Sequence, residues 1–343
     1  MGGSWSGRKN PAYISSMNLI VKANGRRVNV TSFRVYNWHK RIEIMTVEGT
    51  HGYWGDLHRP DLSPEETDFT IFGVPFDGLA SARKGAALAP ERLRYWSRHL
   101  TPFSEDRTRL KNLTIADLGD IDIRHPETDF NLILKRVATL PNIPIILGGD
   151  HSVTIPILQG QRERYKDQRL GVLWIDAHPD LCDEFDGSRI SHANTMRRAL
   201  DFGIEPHDIC MVGLRSWEEQ EIDLIENGGI HVYTAADVAD RGMRKIADSV
   251  YNILNDCDAV HISLDIDCLD PSVAPGTGIP EFGGLTSRDV LTLIKGTQGL
   301  SLVGLDVVEI APPLDPSEAT VFAGLKIIME YIAVIARMKQ NAG

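Results

Sequence analysis

VLWIDAHPDLCDEFD, residues 172–186, runs an apolar strand straight into a group of metal-type ligands. Asp176, His178 and Asp180 alternate, and in an extended chain alternate side chains point to one side. Pro179 restricts His178 to extended dihedrals. Burying carboxylates is costly unless cations or donors meet them, so an ordinary buried strand does not continue into Asp-x-His-x-Asp. Taken alone, the segment is also compatible with a polar loop whose aspartates shape a turn.

Two further segments repeat the pattern. AVHISLDIDCLD (259–270) is an apolar run ending in Asp265 and Asp267, and IPIILGGDHSVT (143–154) passes through Gly148 and Gly149 to His151. In an open parallel sheet such strand ends converge in the crevice at the carboxyl edge. The converging set is His151, Asp176, His178, Asp180, Asp265 and Asp267. Two imidazoles and four carboxylates are too many for one catalytic zinc, which takes three protein ligands, and the four charges suit two divalent ions. Oxygen-rich ligation with imidazole and no thiolate favours manganese-like ions, with nickel the alternative.

The segments GGDHSVT (148–154), DAHPD (176–180), SLDIDCLDPSVAPGTGIPEFGGLTSRD (263–289) and DVVEIAPPLD (306–315) resemble the signature blocks of the ureohydrolases, the arginase and agmatinase family. The resemblance spans roughly residues 68–338, with the blocks in family order. It implies a three-layer α/β/α fold with a mostly parallel sheet. It also implies a binuclear manganese site where a guanidino group is hydrolysed to urea and an amine. On that basis Asp176 and Asp265 bridge two metals, His151 and Asp180 complete one shell, and His178 and Asp267 complete the other. Glu309 is expected to pair with the guanidinium, for which a carboxylate offers a planar two-point contact. The family also implies a proton-carrying histidine after the DAHPD block, and His192 in SHANTMRR matches it, with Asp180 as a further proton acceptor.

The substrate tail is less well marked. Asp183, Glu184 and Asp186 form an acidic loop suited to a distal ammonium or simply to solvent, and Trp217 and Glu218 are specificity candidates by position after the ICMVGL strand. The loop LCDEFDGSRIS departs from the animal-type arginase pattern, whereas GTGIPEFGGLTS is similar to agmatinases, so agmatine leads. Guanidinobutyrate, free guanidine, alkylguanidines and arginine stay open. A deacetylase-like amide hydrolase shares the broad fold but uses one metal, and the second ligand pair (His151, Asp180) argues against it. A non-catalytic partner subunit of a hetero-oligomer is opposed by the complete ligand set. The resemblance implies a homotrimer or hexamer.

Working outward, the 343 residues are 42% hydrophobic and 24% charged, ordinary for a globular chain. Alternating strand and helix patterns without a Ser/Pro linker suggest one large α/β domain, residues 67–343, behind an N-terminal extension, residues 1–66. A net charge of −11 argues against a nucleic-acid surface. The four cysteines, Cys182, Cys210, Cys257 and Cys268, show no C-x-x-C spacing and suggest reduced thiols in a cytoplasmic protein. No apolar stretch is expected to reach the length of a membrane span. Residues 1–42 hold eight Lys/Arg and no acid. The alternation in LIVKANGRRVNVTSFRVYNW suggests a hairpin with a Gly-Arg turn, part of a basic arm. The composition also suits an organellar transit peptide, and MGGSWS fits a loose myristoylation pattern.

Overall fold

The computed structural model of the chain describes residues 19–23, 26–30 and 51–342. The chain divides into two compact units, residues 1–50 and 51–343. In the first, β1 (Leu19–Ala23) and β2 (Arg26–Val30) pair antiparallel with Ala23 opposite Arg26. The expected hairpin pairing is present, and the expected Gly-Arg turn falls partly outside the described residues. The transit-peptide and myristoylation readings rest on the first residues and lie outside the described ones.

The second unit begins sixteen positions earlier than the expected boundary at residue 67, because residues 51–66 carry core side chains. Trp54 and Leu57 are buried in the main apolar cluster, and His58 bridges to Ile115.

Eight strands form its sheet: β3 (Phe69–Gly73), β4 (Ile115–Asp120), β5 (Ile143–Leu147), β6 (Leu170–Ile175), β7 (Ile209–Leu214), β8 (His231–Thr234), β9 (Ala259–Asp265) and β10 (Leu302–Val308). Their order is β4-β3-β5-β10-β9-β6-β7-β8, and every pairing is parallel. Unbroken apolar runs such as VLWI and LVGLDVV are what two covered faces require.

One covering layer is built from α1 (Ala89–Ser97), α6 (Ala235–Arg241), α7 (Met243–Leu254), α8 (Ser287–Gly296) and α9 (Ala319–Ala342); the other holds α2 (Pro126–Thr139), α3 (Thr154–Arg164) and α4 (Thr195–Asp201). The short α5 (Ile222–Asn227) packs Leu224 and Ile225 beside α4. Local signals start several of them. Pro90 and Pro126 sit in first turns, where no amide partner is lost, and Thr286 and Asp289 form a reciprocal capping box on α8.

One expectation needs correcting. The stretch Ala319–Gln340 of α9 is apolar and long enough to cross a bilayer, but 78% of an 18-residue window within it is buried in this protein, and the helix packs against α1 and α8. Val321, Leu325, Ile328, Ile332 and Ile335 of this helix serve the core, while Phe322 is exposed.

Candidate metal centre

The adjacent strands β5, β10, β9 and β6 deliver the site from the middle of the sheet. Gly149 makes the convergence possible. A Cβ there would lie 1.7 Å from the Phe76 carbonyl oxygen, while the Gly149 carbonyl accepts the Glu309 amide at 2.8 Å and the Asp150 amide reaches Phe76 O at 2.8 Å. Three strand ends therefore meet at one glycine. Gly149→Ala is expected to destabilise the protein by about 3 kcal/mol or more, since backbone must move to admit the methyl group. A denaturant midpoint unchanged from wild type would contradict this packing.

All six expected ligands come together. His151 Nδ1 lies 3.1 Å from Asp176 Oδ2, 3.3 Å from Asp180 Oδ2 and 3.2 Å from Asp265 Oδ2. His178 Nδ1 lies 3.1 Å from Asp267 Oδ2 and 3.6 Å from Asp176 Oδ1. The two oxygens of Asp176 thus face two different imidazoles, and two ligand groups share this one carboxylate.

The route to that geometry is not an extended strand. Strand β6 ends at Ile175; the His178 amide turns back onto Asp176 Oδ1 at 2.7 Å, and Asp180 takes a left-handed φ of 52°. Asp267 sits in a single 3₁₀ turn, its amide donating to Asp265 Oδ1 at 2.8 Å. Glu309 is also left-handed, with φ of 60°. Two non-glycine residues in this conformation at one site are strain that the surrounding contacts must hold. At Asp180 those contacts are visible. Its carbonyl accepts the Met196 and Arg197 amides, and the next amide, Leu181, donates to the buried Glu221 at 2.8 Å.

Trp174 on β6 braces both histidines. It stacks on His151 with centroids 4.1 Å apart and planes 2° from parallel, and its Nε1 donates to the His178 carbonyl at 3.0 Å.

The electrostatics favour a cation. Burial pushes Asp180 up to about 7, and burial with the Asp267 and Asp176 charges pushes Asp265 well above the carboxylate range. Burial alone would depress His178, but Asp267 and Asp176 outweigh it and raise it to about 12. His151 is raised in the same way by Asp176, Asp180 and Asp265. Four buried carboxylates thus draw protons onto their neighbours for want of positive charge. His151 Nδ1 and Asp176 Oδ2 are also buried without a hydrogen-bond partner. Those orphaned atoms, facing one another within a ring of carboxylates, fit divalent metal ions.

Above the ligands, a cleft is walled by Ser81, Arg83, His192, Thr277, Gly278 and Glu309. Glu309 Oε1 accepts the His151 amide at 2.8 Å. His192 Nε2 is 2.8 Å from Ser81 Oγ, and burial together with the His178 and His151 cations holds its pKa down to about 4.

The three tail candidates are not among the walls. Asp183 is claimed by Arg198 at 2.6 Å and by Arg189 at 3.0 Å, so its charge is already matched. Trp217 is 39% exposed, and Glu218 starts a short turn with its amide on Glu221 Oε2. Asp77 caps the loop by accepting the Gly85 amide at 2.8 Å. Ser81 and Arg83 carry no motif of their own in the sequence, whereas Thr277 lies within the quoted block 263–289, which was the available signal for it.

A family model described as the arginase family matches residues 67–333. The chain belongs to the arginase family. Among this family's members, it is 31% identical to the guanidinobutyrase of Pseudomonas aeruginosa over 290 residues, which cover 80% of this chain and 89% of that protein. It is 33% identical to the agmatinase of Salmonella dublin over 286 residues, with the same two coverages. The solved structure of proclavaminate amidino hydrolase from Streptomyces clavuligerus matches with a TM-score of 0.78 at 29% identity, covering 85% of this chain and 99% of that one. Agmatine ureohydrolase of Thermoplasma volcanium matches with a TM-score of 0.75 at 28% identity, covering 82% and 94%. This arginase-family chain shares their three-layer α/β/α architecture and carries a His/Asp cluster compatible with a binuclear centre.

Proposed function

We propose that the protein hydrolyses a guanidino compound to urea and an amine, with agmatine as the leading substrate. The observation that carries this reading is the division of the Asp176 carboxylate between the His151 and His178 ligand groups. His151, Asp176, Asp180 and Asp265 would hold one ion, and Asp176, His178, Asp265 and Asp267 the other. When bound, two such ions supply an activated water at neutral pH and stabilise developing negative charge. Manganese suits the donor set, and nickel is the second choice.

The rest falls to side chains. Glu309 keeps one oxygen on the His151 amide and turns the other to the cleft, where it would hold the flat guanidinium face to face with the ligand cluster. The departing amine needs a proton, and His192 lies in the cleft wall, steadied by Ser81. A homo-oligomer of trimeric or hexameric form and a cytoplasmic location complete the proposal.

The cleft favours a second substrate reading. Arg83 is in the wall, its guanidinium donating to the Thr277 and Gly278 carbonyls, and Asp183 is turned onto arginines instead of towards the cleft. A cationic wall suits the carboxylate of 4-guanidinobutyrate better than the ammonium of agmatine. Urea release from agmatine, 4-guanidinobutyrate, arginine and guanidine, each with manganese and with nickel, tests both readings. Turnover of agmatine or of 4-guanidinobutyrate well above the others is expected. No urea from any of the four, with two ions bound per chain, would overturn the proposed reaction.

A further inference from the structure

Behind the His151 ring, on the side away from the cleft, a line of hydrogen bonds runs into the sheet. His151 Nε2 is 3.0 Å from Ser263 Oγ, and Ser263 donates its hydroxyl to Asp306 Oδ1 at 2.8 Å. Asp306 also accepts from Thr154 Oγ1 at 2.8 Å and from His261 Nε2 at 2.6 Å. Gln161 Nε2 closes the line on His261 Nδ1 at 3.2 Å. His151 is 1% exposed and the other members are fully buried. None of Asp306, His261 or Gln161 touches the cleft, and the proposed reaction uses none of them.

The protons in this line can be assigned by counting. A serine hydroxyl has one proton, and Ser263 places it on Asp306. Towards His151 it then offers only a lone pair, so His151 Nε2 must carry the ring proton. In the neutral ring that a metal ligand must present, Nδ1 is then the lone pair, and Nδ1 is the atom that faces Asp176, Asp180 and Asp265 without a hydrogen-bond partner. The buried Asp306 carboxylate sits at the head of the line and accepts from three donors.

We propose that Asp306 is a positioning residue for metal binding: acting through Ser263, it fixes the His151 tautomer that presents Nδ1 to an ion, while His261 and Gln161 hold Asp306 in place. The inference rests on the metal-centre reading above. A histidine ligand whose second nitrogen is held by a carboxylate, directly or through one group, is both oriented and made more basic.

Gly304 gives independent support. It lies opposite His261 in the β9–β10 register, and a Cβ at that position would come within 2.6 Å of His261 Nδ1 and 2.5 Å of Gln161 Nε2. The strand is kept bare of a side chain where the His261–Gln161 contact needs room. The other imidazole ligand is in a different setting, since the His178 side chain is 23% exposed and lines the cleft. Loss of the buried line should therefore affect one ion and spare the other.

The test is calorimetric titration of the metal-stripped full chain with manganese alone, with the spin-coupled manganese pair followed by electron paramagnetic resonance. Wild type is expected to take two ions. Ser263→Ala and Asp306→Asn are expected to weaken one of them by about 10- to 100-fold and leave the other near its wild-type affinity, replacing the coupled signal with that of a single ion at limiting manganese. Ser263→Thr keeps the hydroxyl and should restore binding. Gly304→Ala removes no polar group and should shift the same ion. If Asp306→Asn does not fold, the two Ser263 variants and Gly304→Ala still decide the matter. Two ions held at wild-type affinity in Ser263→Ala would overturn the inference, as would equal weakening of both ions. A wild type that binds two manganese ions but releases no urea would overturn the proposed reaction and leave this inference standing. A wild type that binds none would overturn both.

Discussion

Asp176→Ala is expected to leave the protein unable to hold either ion and to lower urea release by roughly a thousandfold or more. Asp176 is fully buried, with Oδ2 directed at the His151 group and Oδ1 at the His178 group. Among the described residues, no other pairs with both imidazoles in this way. Metal ions in such a centre supply several kcal/mol of transition-state stabilisation, and about 4 kcal/mol corresponds to the stated factor. The variant should nevertheless fold. Asp176 is one of the charges raising Asp265 and Asp267, so its loss relieves some crowding, but the His151 and His178 imidazoles hold Asp176 itself below the usual carboxylate range against its burial, and those pairings are lost with it. The thermal midpoint without metal should then fall below that of wild type, and the rise on adding manganese should disappear, because an ion that does not bind the native state cannot stabilise it. Asp265→Ala should behave alike. Two ions per chain by elemental analysis after desalting Asp176→Ala would refute the shared-ligand assignment.

The clustering of the six expected ligands was legible because its signal is chemical and local. An apolar run that will be buried on both faces and then meets Asp-x-His-x-Asp has few other physical explanations, and β5, β6 and β9 each show a version of it. The conformation behind the convergence was not legible. Alternation suggested an extended chain at 176–180, whereas the carboxylate of Asp180 arrives through a left-handed residue pinned by α4 and Glu221, contacts from far along the chain. The tail candidates failed for a related reason. Asp183, Trp217 and Glu218 were chosen by distance from a motif, but Arg198 takes Asp183 once α4 folds beside it, and the cleft is walled instead by Ser81, Arg83 and Thr277 from loops remote in sequence. The family model begins at the expected residue 67, whereas the compact unit begins at residue 51, because charge bias marks the basic arm through Lys40 and Arg41 but not where packing into the core starts. Trp54 and Leu57, two apolar residues in a polar stretch, were the available clue to residues 51–66.

Glu309→Gln is expected to lower kcat/KM by roughly 10²- to 10³-fold while both ions stay bound. The residue is 8% exposed, with one oxygen accepting the His151 amide and the other end facing the cleft. Glutamine has the same shape and keeps an oxygen for that amide. Its NH₂, however, would then face the cleft and meet a guanidinium that has five N–H donors and no acceptor. Breaking one partner of a buried, hydrogen-bonded charge pair costs about 2–5 kcal/mol, which spans the stated range at about 1.4 kcal/mol per tenfold. The folded protein should lose little. Burial and the nearby Asp150 hold the Glu309 pKa well above its ordinary value, so the native state already disfavours the charge that glutamine removes. Substrate and stability therefore respond oppositely to the carboxylate, as expected of a group kept for binding a cation rather than for the fold. Steady-state kinetics on whichever substrate releases urea, paired with metal analysis, will separate the possibilities. A kcat/KM within about threefold of wild type would remove Glu309 from substrate recognition, and loss of an ion would make it part of the metal centre instead.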